Sequence, residues 1–399
     1  MRILHSIHSL DLRSGGPSHA IRGLVAAQVT AGHDVSVVAT TMQSAEPWLP
    51  TEDFAKVVRD DRHFAGADVS LLRGFGRRPP WSRFGYCPGI RSWLDERIRQ
   101  KTKRPDVVHI HGVFSHINSA AAAAARRHGI PYLVRPTGAL DPNCFRTGRQ
   151  LLKQAFTKLI LGRDLASAAF IHTTSTAEAE ALQELSPRER IRVVPLGVSL
   201  PEVIEHSEAA MARGRFPGTA GKRVVLFLSR IAPKKRPELL VEAVTQLRQR
   251  FPDVVLLLAG HDAGGMAAVD ATINRVDAAD FVVKAGFVEG HDKRLAFAQA
   301  DVFALPSIDE NFGVATIEAM AHGVPVLVTE GVAAHVYVDA ADCGMTVNDD
   351  VASIAKGLEN LLARDRDEVG GRGRLYVRTH LTWPAVVQQL DELYRAAMR

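Results

Sequence analysis

The sequence predicts an α/β chain made of two doubly wound, parallel-sheet domains. Short, continuous apolar runs alternate with helix-period stretches along its whole length, the pattern of strands buried on both faces by helices. The pattern runs through twice, with a break near Val198–Pro201. At 399 residues the chain also exceeds what one core usually organises.

In the first half, Ile3–Ile7, Val35–Ala39, Val107–Ile110, Tyr132–Val134, Ala169–Ile171 and Ile191–Val194 have the strand pattern. Helix patterns fall between them at Ser18–Ala31, Gly89–Lys101, Ile117–Arg127, Leu151–Leu161 and Ala177–Leu185. The alanine run Ala120–Ala125 favours helix rather than disorder. In the second half the strands are Val224–Leu228, Val254–Leu258, Phe281–Val283, Val302–Leu305 and Val324–Val328, with helices at Pro237–Arg250, Arg294–Gln299 and Val314–Ala321. The last helix has Thr382 as N-cap candidate and Pro384 in its first turn, and its apolar face is Val386, Val387, Leu390, Leu393 and Tyr394. The expected division is 1–200, 201–380, and a terminal helix, 381–399, that returns to the N-terminal domain.

Composition narrows the class. A chain with 46% hydrophobic and 23% charged residues folds rather than staying disordered. No apolar run approaches the roughly 18 residues of a membrane span. MRILHSIHSL looks like a first strand, not a signal peptide. Cys87, Cys144 and Cys343 are odd in number and far apart, which suits reduced thiols and a cytoplasmic location. The net charge of +5 is uneven. Arg77, Arg78, Arg83, Arg91, Arg97, Arg99, Lys101, Lys103 and Arg104 face only Asp95 and Glu96, with Trp81, Phe84, Tyr86 and Trp93 among them. A basic stretch with aromatics suits peripheral contact with lipid head groups, and more readily still a solvated helix whose aromatics turn inward. No nucleic-acid-binding module accompanies it.

The chemistry concentrates in Asp309–Val328, DENFGVATIEAMAHGVPVLV. A strand, a loop with Glu310, Asn311, Phe312 and Gly313, and a helix start place backbone N–H groups where an anion can bind. Glu318 follows on the helix, and Gly323 stands where a helix C-cap belongs. Two carboxylates beside phosphate-binding amides suit a ligand with both phosphates and hydroxyls, as a nucleotide sugar has. Arg230 and Lys235, in SRIAPKKRPELL beyond a strand, can neutralise a diphosphate, though Lys234 and Arg236 leave open which cation turns inward. Ser14-Gly15-Gly16-Pro17 follows the first strand and lets backbone approach a phosphate; a plain turn uses the same residues. His111 ends a strand, where open sheets bind ligands. It shares a face with His109, and one of the two can be an ordinary core histidine. His116 lies near, but no cysteine or carboxylate cluster supports a metal site. There is no GxGxxG, Gly218–Lys222 is followed by a strand rather than a helix, Asp365-Arg366-Asp367 belongs to a charged helical region, and no GxSxG occurs.

Taken in order, Gly15-Gly16, His111, Arg230/Lys235, and Glu310…Glu318 with Gly323 and Pro325 resemble the retaining glycosyltransferases of family 4, over nearly the whole chain. The resemblance implies the GT-B fold: two Rossmann-like domains facing across a cleft, acceptor on the N-terminal one and donor on the C-terminal one. It implies an NDP-sugar donor such as GDP-mannose or a UDP-hexose, a glycan or lipid-linked acceptor, and no metal or other cofactor. Arg230 and Lys235 would hold the diphosphate and Glu318 the ribose. Glu310 and the Asn311, Phe312 and Gly313 amides would hold the sugar. Gly15 and Gly16 would close on the phosphates, His111 would approach the sugar, and Gly286-Phe287-Val288 would border the base. The chain departs from the common pattern at Ser229 and Arg236, where glycine is usual, and in the longer turn Gly260–Gly264.

Overall fold

A computed structural model describes residues 1–14, 16–43, 49–75, 85–140, 161–201, 211–212 and 214–399. Cys144, Gly15, positions 77–84 of the basic stretch and all but the last residue of the expected helix Leu151–Leu161 lie outside these residues. The chain divides into two compact units, Met1–Gly197 with Trp383–Arg399, and Val198–Thr382.

The first unit holds a seven-stranded sheet: β1 (Arg2–Ser9), β2 (Asp34–Thr40), β3 (Asp68–Leu72), β4 (Val107–His111), β5 (Tyr132–Arg135), β6 (Phe170–Thr173) and β7 (Ile191–Val193). Their spatial order is β3-β2-β1-β4-β5-β6-β7, every pair parallel. Alternation splits the core between two faces. Val108, Ile110 and Val134 pack on the helices Ile90–Arg99 and His116–Arg127. Ile3, Ile7, Val35, Val37, Val107 and Leu133 pack on Gly16–Thr30 and Trp383–Ala397. The terminal helix thus closes one face of the first sheet through Val386, Val387, Leu390, Leu393 and Tyr394.

The second unit holds six parallel strands: β8 (Arg223–Leu228), β9 (Val254–Ala259), β10 (Val282–Gly286), β11 (Val302–Leu305), β12 (Val326–Thr329) and β13 (Gly344–Val347). Their order is β10-β9-β8-β11-β12-β13. Both sheets therefore reverse direction once, between β1 and β4 and between β8 and β11. Ligands of doubly wound sheets bind outside the carboxyl ends at such switch points.

The structure adds elements that the sequence pattern does not show. β3 and β13 are edge strands of intermediate burial with no long apolar run. The helices Thr51–Arg59, Met266–Arg275, His335–Ala341 and Val351–Leu362 are likewise additional, and the charged helical region at Asp365-Arg366-Asp367 opens the helix Arg366–His380. The strand expected from Val324 begins instead at Val326, because the amides of Gly323 and Val324 close the preceding helix. They donate to Met320 O and Ala319 O, both at 3.0 Å, with Gly323 at φ +70°. Within the described part of the basic stretch, Arg97 is no surface cation. It is buried, bonding Asp68 at 2.8 Å and the Ser36 hydroxyl, and Trp93 packs against the core. Among the described residues no helix is long and apolar enough to cross a membrane.

Candidate functional site

In the second unit, the loops leaving β8 and β11 meet at the switch point. Ile308 N donates to Lys234 O at 2.9 Å, and the Ser307 hydroxyl donates to the same carbonyl at 3.1 Å. This stitching brings Lys235 against Glu310 in a contact ion pair. Of the two candidate cations, Lys235 turns inward, with its side chain 4% exposed, while Arg230 is exposed and Lys234 reaches Asp309 at 3.4 Å. Burial, then the positive charges of Lys234 and Arg230, lower the Lys235 ammonium to about 7, and Asp309 pulls the other way. The touching Glu310 carboxylate acts in the same direction as Asp309, toward the charged ammonium.

Glu310 is fixed at both ends of its peptide unit. Its N–H donates to Gly331 O at 2.8 Å and its carbonyl accepts from Ala333 N at 3.0 Å. Gly331 is required for that approach, since a Cβ there would stand 2.2 Å from Ile308 O. Gly313 starts the helix Val314–Ala321 at φ +84°. That left-handed turn leaves the first-turn N–H groups directed along the helix axis toward the loop. Phe312 contributes only backbone, because its ring is 3% exposed and lies 6.0 Å from Tyr337. Asn311 is partly exposed beside it. On the same helix Glu318 pairs with Lys293 at 2.7 Å. Lys293 was not legible in sequence, since its helix carries several charges of both signs. Val288 is buried and Phe287 is 61% exposed, its ring edge-on to His261 at 6.0 Å.

Two of the three departures from the family pattern, Arg236 and the longer glycine turn, are held by local contacts. Arg236 takes the left-handed conformation that glycine would take, φ 49° and ψ 44°, and bonds Asp349 at 3.0 Å. In the longer glycine turn, the Asp262 carboxylate accepts from Gly264 N at 2.9 Å and from Gly265 N and Met266 N at 3.1 Å, starting the helix Met266–Arg275.

In the first unit, Gly16 opens its helix at an exposed position. His111 ends its strand inside the unit's core rather than on its surface. Its ring is not presented freely at the strand end but is 3% exposed within a chain of histidines. Parallel register places His5, His109, His111 and His172 on one face, because His5 pairs with His109 and neighbouring strands align alternate residues. His111 Nε2 bonds His5 Nδ1 at 2.8 Å, and His5 Nε2 bonds Gln28 Oε1 at 2.7 Å. His109 bonds the Tyr394 hydroxyl at 2.7 Å and His172 Nδ1 at 3.1 Å, and His172 Nε2 bonds Val194 O at 2.9 Å. Burial lowers His5 to about 4 and His172 to about 3, and holds His109 and His111 well below the usual imidazole range.

His5, His109 and His111 offer ring nitrogens within 4.8 Å of one another, a spacing that could hold a metal ion. The surroundings do not suit a dication. Binding would break the hydrogen bond between His5 and His111, and the fully buried guanidinium of Arg135 adds positive charge to the same group.

Two family models account for most of the chain: "Glycosyl transferase 4-like domain" over residues 15–197 and "Glycosyl transferases group 1" over residues 213–373. A D-inositol 3-phosphate glycosyltransferase of Stackebrandtia nassauensis is 30% identical over 278 residues, 66% of this chain and 58% of that protein. The chain spans about half the length of the curated relatives it matches. Among solved structures, Anabaena HepE in complex with UDP and glucose aligns with TM-score 0.74 and 18% identity, over 99% of this chain and 100% of that one. Sucrose-phosphate synthase of Thermosynechococcus elongatus aligns with TM-score 0.73 and 20% identity, over 99% and 98%. Two domain matches in succession, on two sheets each with a single reversal, lead to one assignment: the chain belongs to the glycosyltransferases of family 4, on the GT-B fold.

Proposed function

We propose that the protein is a retaining hexosyltransferase that moves a hexose from an NDP-sugar, GDP-mannose or a UDP-hexose, to a hydroxyl of a glycan or lipid-linked acceptor. The observation that carries this reading is the Lys235–Glu310 contact at the second sheet's switch point. A buried cation there stabilises the charge that develops on a departing diphosphate, and low local dielectric strengthens its effect. With donor bound, Lys235 and Arg230 take the diphosphate, which frees Glu310 and the Asn311–Gly313 amides for the sugar. Glu318, released from Lys293, takes the ribose hydroxyls, while Val288 borders the base. Gly15 and Gly16 approach the phosphates. With Nε2 committed to His5, the other ring nitrogen of His111 serves a sugar hydroxyl. The leaving phosphate accepts the acceptor's proton on the same face, so retention needs neither a dedicated side-chain base nor a metal.

The setting we infer is cytoplasmic polysaccharide or glycolipid synthesis, with peripheral membrane contact through 77–104. Exposed Arg91, Arg99, Lys101, Lys103 and Arg104 support that contact. The relatives named for D-inositol 3-phosphate favour a second acceptor reading, a phosphorylated polyol. An epimerase or hydrolase on the same fold, or a non-catalytic nucleotide-sugar-binding subunit, are the competing readings. An assay for free sugar or epimer without acceptor separates the former.

Thermal shift with GDP, UDP, ADP and their sugars tests donor binding, because a ligand of the folded state raises its melting temperature. Lys235→Ala and Glu310→Ala should abolish transfer while the chain still folds. Wild-type turnover by either variant would refute the proposal. The Glu310→Ala protein should melt lower than Lys235→Ala, since it leaves a buried ammonium without its carboxylate.

A further inference from the structure

Arg135 ends β5 and is 3% exposed, yet among the described residues no carboxylate pairs with it. Its Nε is buried without a hydrogen-bond partner. The Glu178 carboxylate attracts it through space but makes its hydrogen bonds elsewhere: Oε1 accepts from Gly138 N at 2.6 Å, and Oε2 accepts from Thr174 N at 2.9 Å and the Thr174 hydroxyl at 3.2 Å. On its other side lie the histidines, which burial keeps neutral. Burial lowers the guanidinium itself to about 10, still charged at neutral pH. A buried guanidinium whose Nε makes no hydrogen bond, and on which the Glu178 carboxylate acts through space rather than in an ion pair, gains when an anion arrives.

Its position favours a ligand over a purely internal role. Arg135 pairs in register with His111, one strand from the first sheet's switch point, at the carboxyl end where ligands bind. The loops on either side are held in left-handed backbone, Gly112 at φ +88°, Thr137 at φ +61° and Gly138 at φ +73°, and are tied by Gly112 N donating to Arg135 O at 2.7 Å. Nearby in sequence the Ser115 hydroxyl is also buried without a partner.

We propose that Arg135 is the fixed charge of an anion subsite in the first unit, which receives the phosphoryl group of a phosphorylated acceptor. The assignment to an acceptor rests on the transferase reading above; the subsite itself does not. A forked guanidinium suits a phosphoryl group, which it can bind through two parallel N–H bonds.

The test uses the full chain, with inorganic phosphate and UDP as probes in thermal shift, on wild type, Arg135→Gln and Arg135→Lys. Phosphate should raise the wild-type melting temperature, and should still do so with UDP saturating. Arg135→Gln should weaken phosphate at least about tenfold, Arg135→Lys less, and both should keep the UDP shift. Without phosphate, Arg135→Gln should melt close to wild type, because among the described residues the guanidinium makes no ion pair that the substitution would break. An unchanged phosphate shift in Arg135→Gln overturns the subsite. So does a large loss of stability in phosphate-free buffer, which would mark a structural arginine. A wild-type phosphate shift that disappears under saturating UDP overturns the acceptor assignment, since the anion would then be the donor's. Absence of any nucleotide shift in wild type counts against the transferase reading, and the phosphate response alone still decides the subsite.

Discussion

Acid should unfold the first unit before it affects much of the second. His5, His109, His111 and His172 are buried and neutral, with folded values near 4, near 3 or well below 6.5, while the unfolded chain titrates near 6.5. Their folded values are depressed, so the unfolded state binds more protons between those limits. The associated stability is complete above pH 6.5 and is lost as pH falls toward 4. Each histidine contributes a slope of about 1.4 kcal/mol per pH unit. At pH 5 each has cost roughly 2 kcal/mol and the four together about 8, comparable with the whole stability of an ordinary domain. Every tryptophan, 48, 81, 93 and 383, falls in the first unit, so intrinsic fluorescence reports on it selectively. Urea melts at pH 7.5, 6 and 5 should give a slope corresponding to several protons taken up on unfolding. His172→Gln should reduce that uptake by one. A wild-type uptake below one proton, or equal slopes for both proteins, would refute the neutral buried chain.

Two further substitutions test backbone geometry. At position 236 glycine should exceed alanine in stability by about 1 kcal/mol in chemical denaturation, because both lose the Asp349 bond and only glycine escapes the left-handed strain. The usual order, alanine above glycine, would contradict it. Gly260→Ala should fail to give a soluble folded protein or lose several kcal/mol, since its Cβ would lie 1.8 Å from Ser229 O. Wild-type melting would contradict that packing.

Central strands were legible in the sequence because burial on both faces requires uninterrupted apolar residues, as in Val254–Leu258. The edge strands Asp68–Leu72 and Gly344–Val347 are not legible because, being partly buried, they carry no uninterrupted apolar run of that kind. The helix Arg366–His380 is legible at its charged start, Asp365-Arg366-Asp367, whereas Gly370, Gly371 and Gly373 obscure its length. Gly370 serves close packing rather than a turn, since a Cβ there would meet Gly323 O at 1.9 Å. In the site, spacing along one loop identified Glu310, Glu318 and Gly313. The partners Lys293, Gln28, His5 and His172 needed the topology, because each comes from another element. Alternation alone placed His109 beside His111, but not the chain of bonds that runs through them.

The last fifteen-residue helix, Trp383–Ala397, carries Tyr394 into that chain, bonding both His109 and Gln28. A ribosome completes the other parts of the first sheet long before it delivers this helix. Until then one face of that sheet lacks its apolar cover, and two interior polar groups lack their partner. The second unit, whose sequence is continuous, can close first. Synthesis order and packing order are therefore opposed for this sheet: its strands are made first, and the helix that covers Ile3, Ile7, Val35, Val37, Val107 and Leu133 on one face is made after the whole second unit.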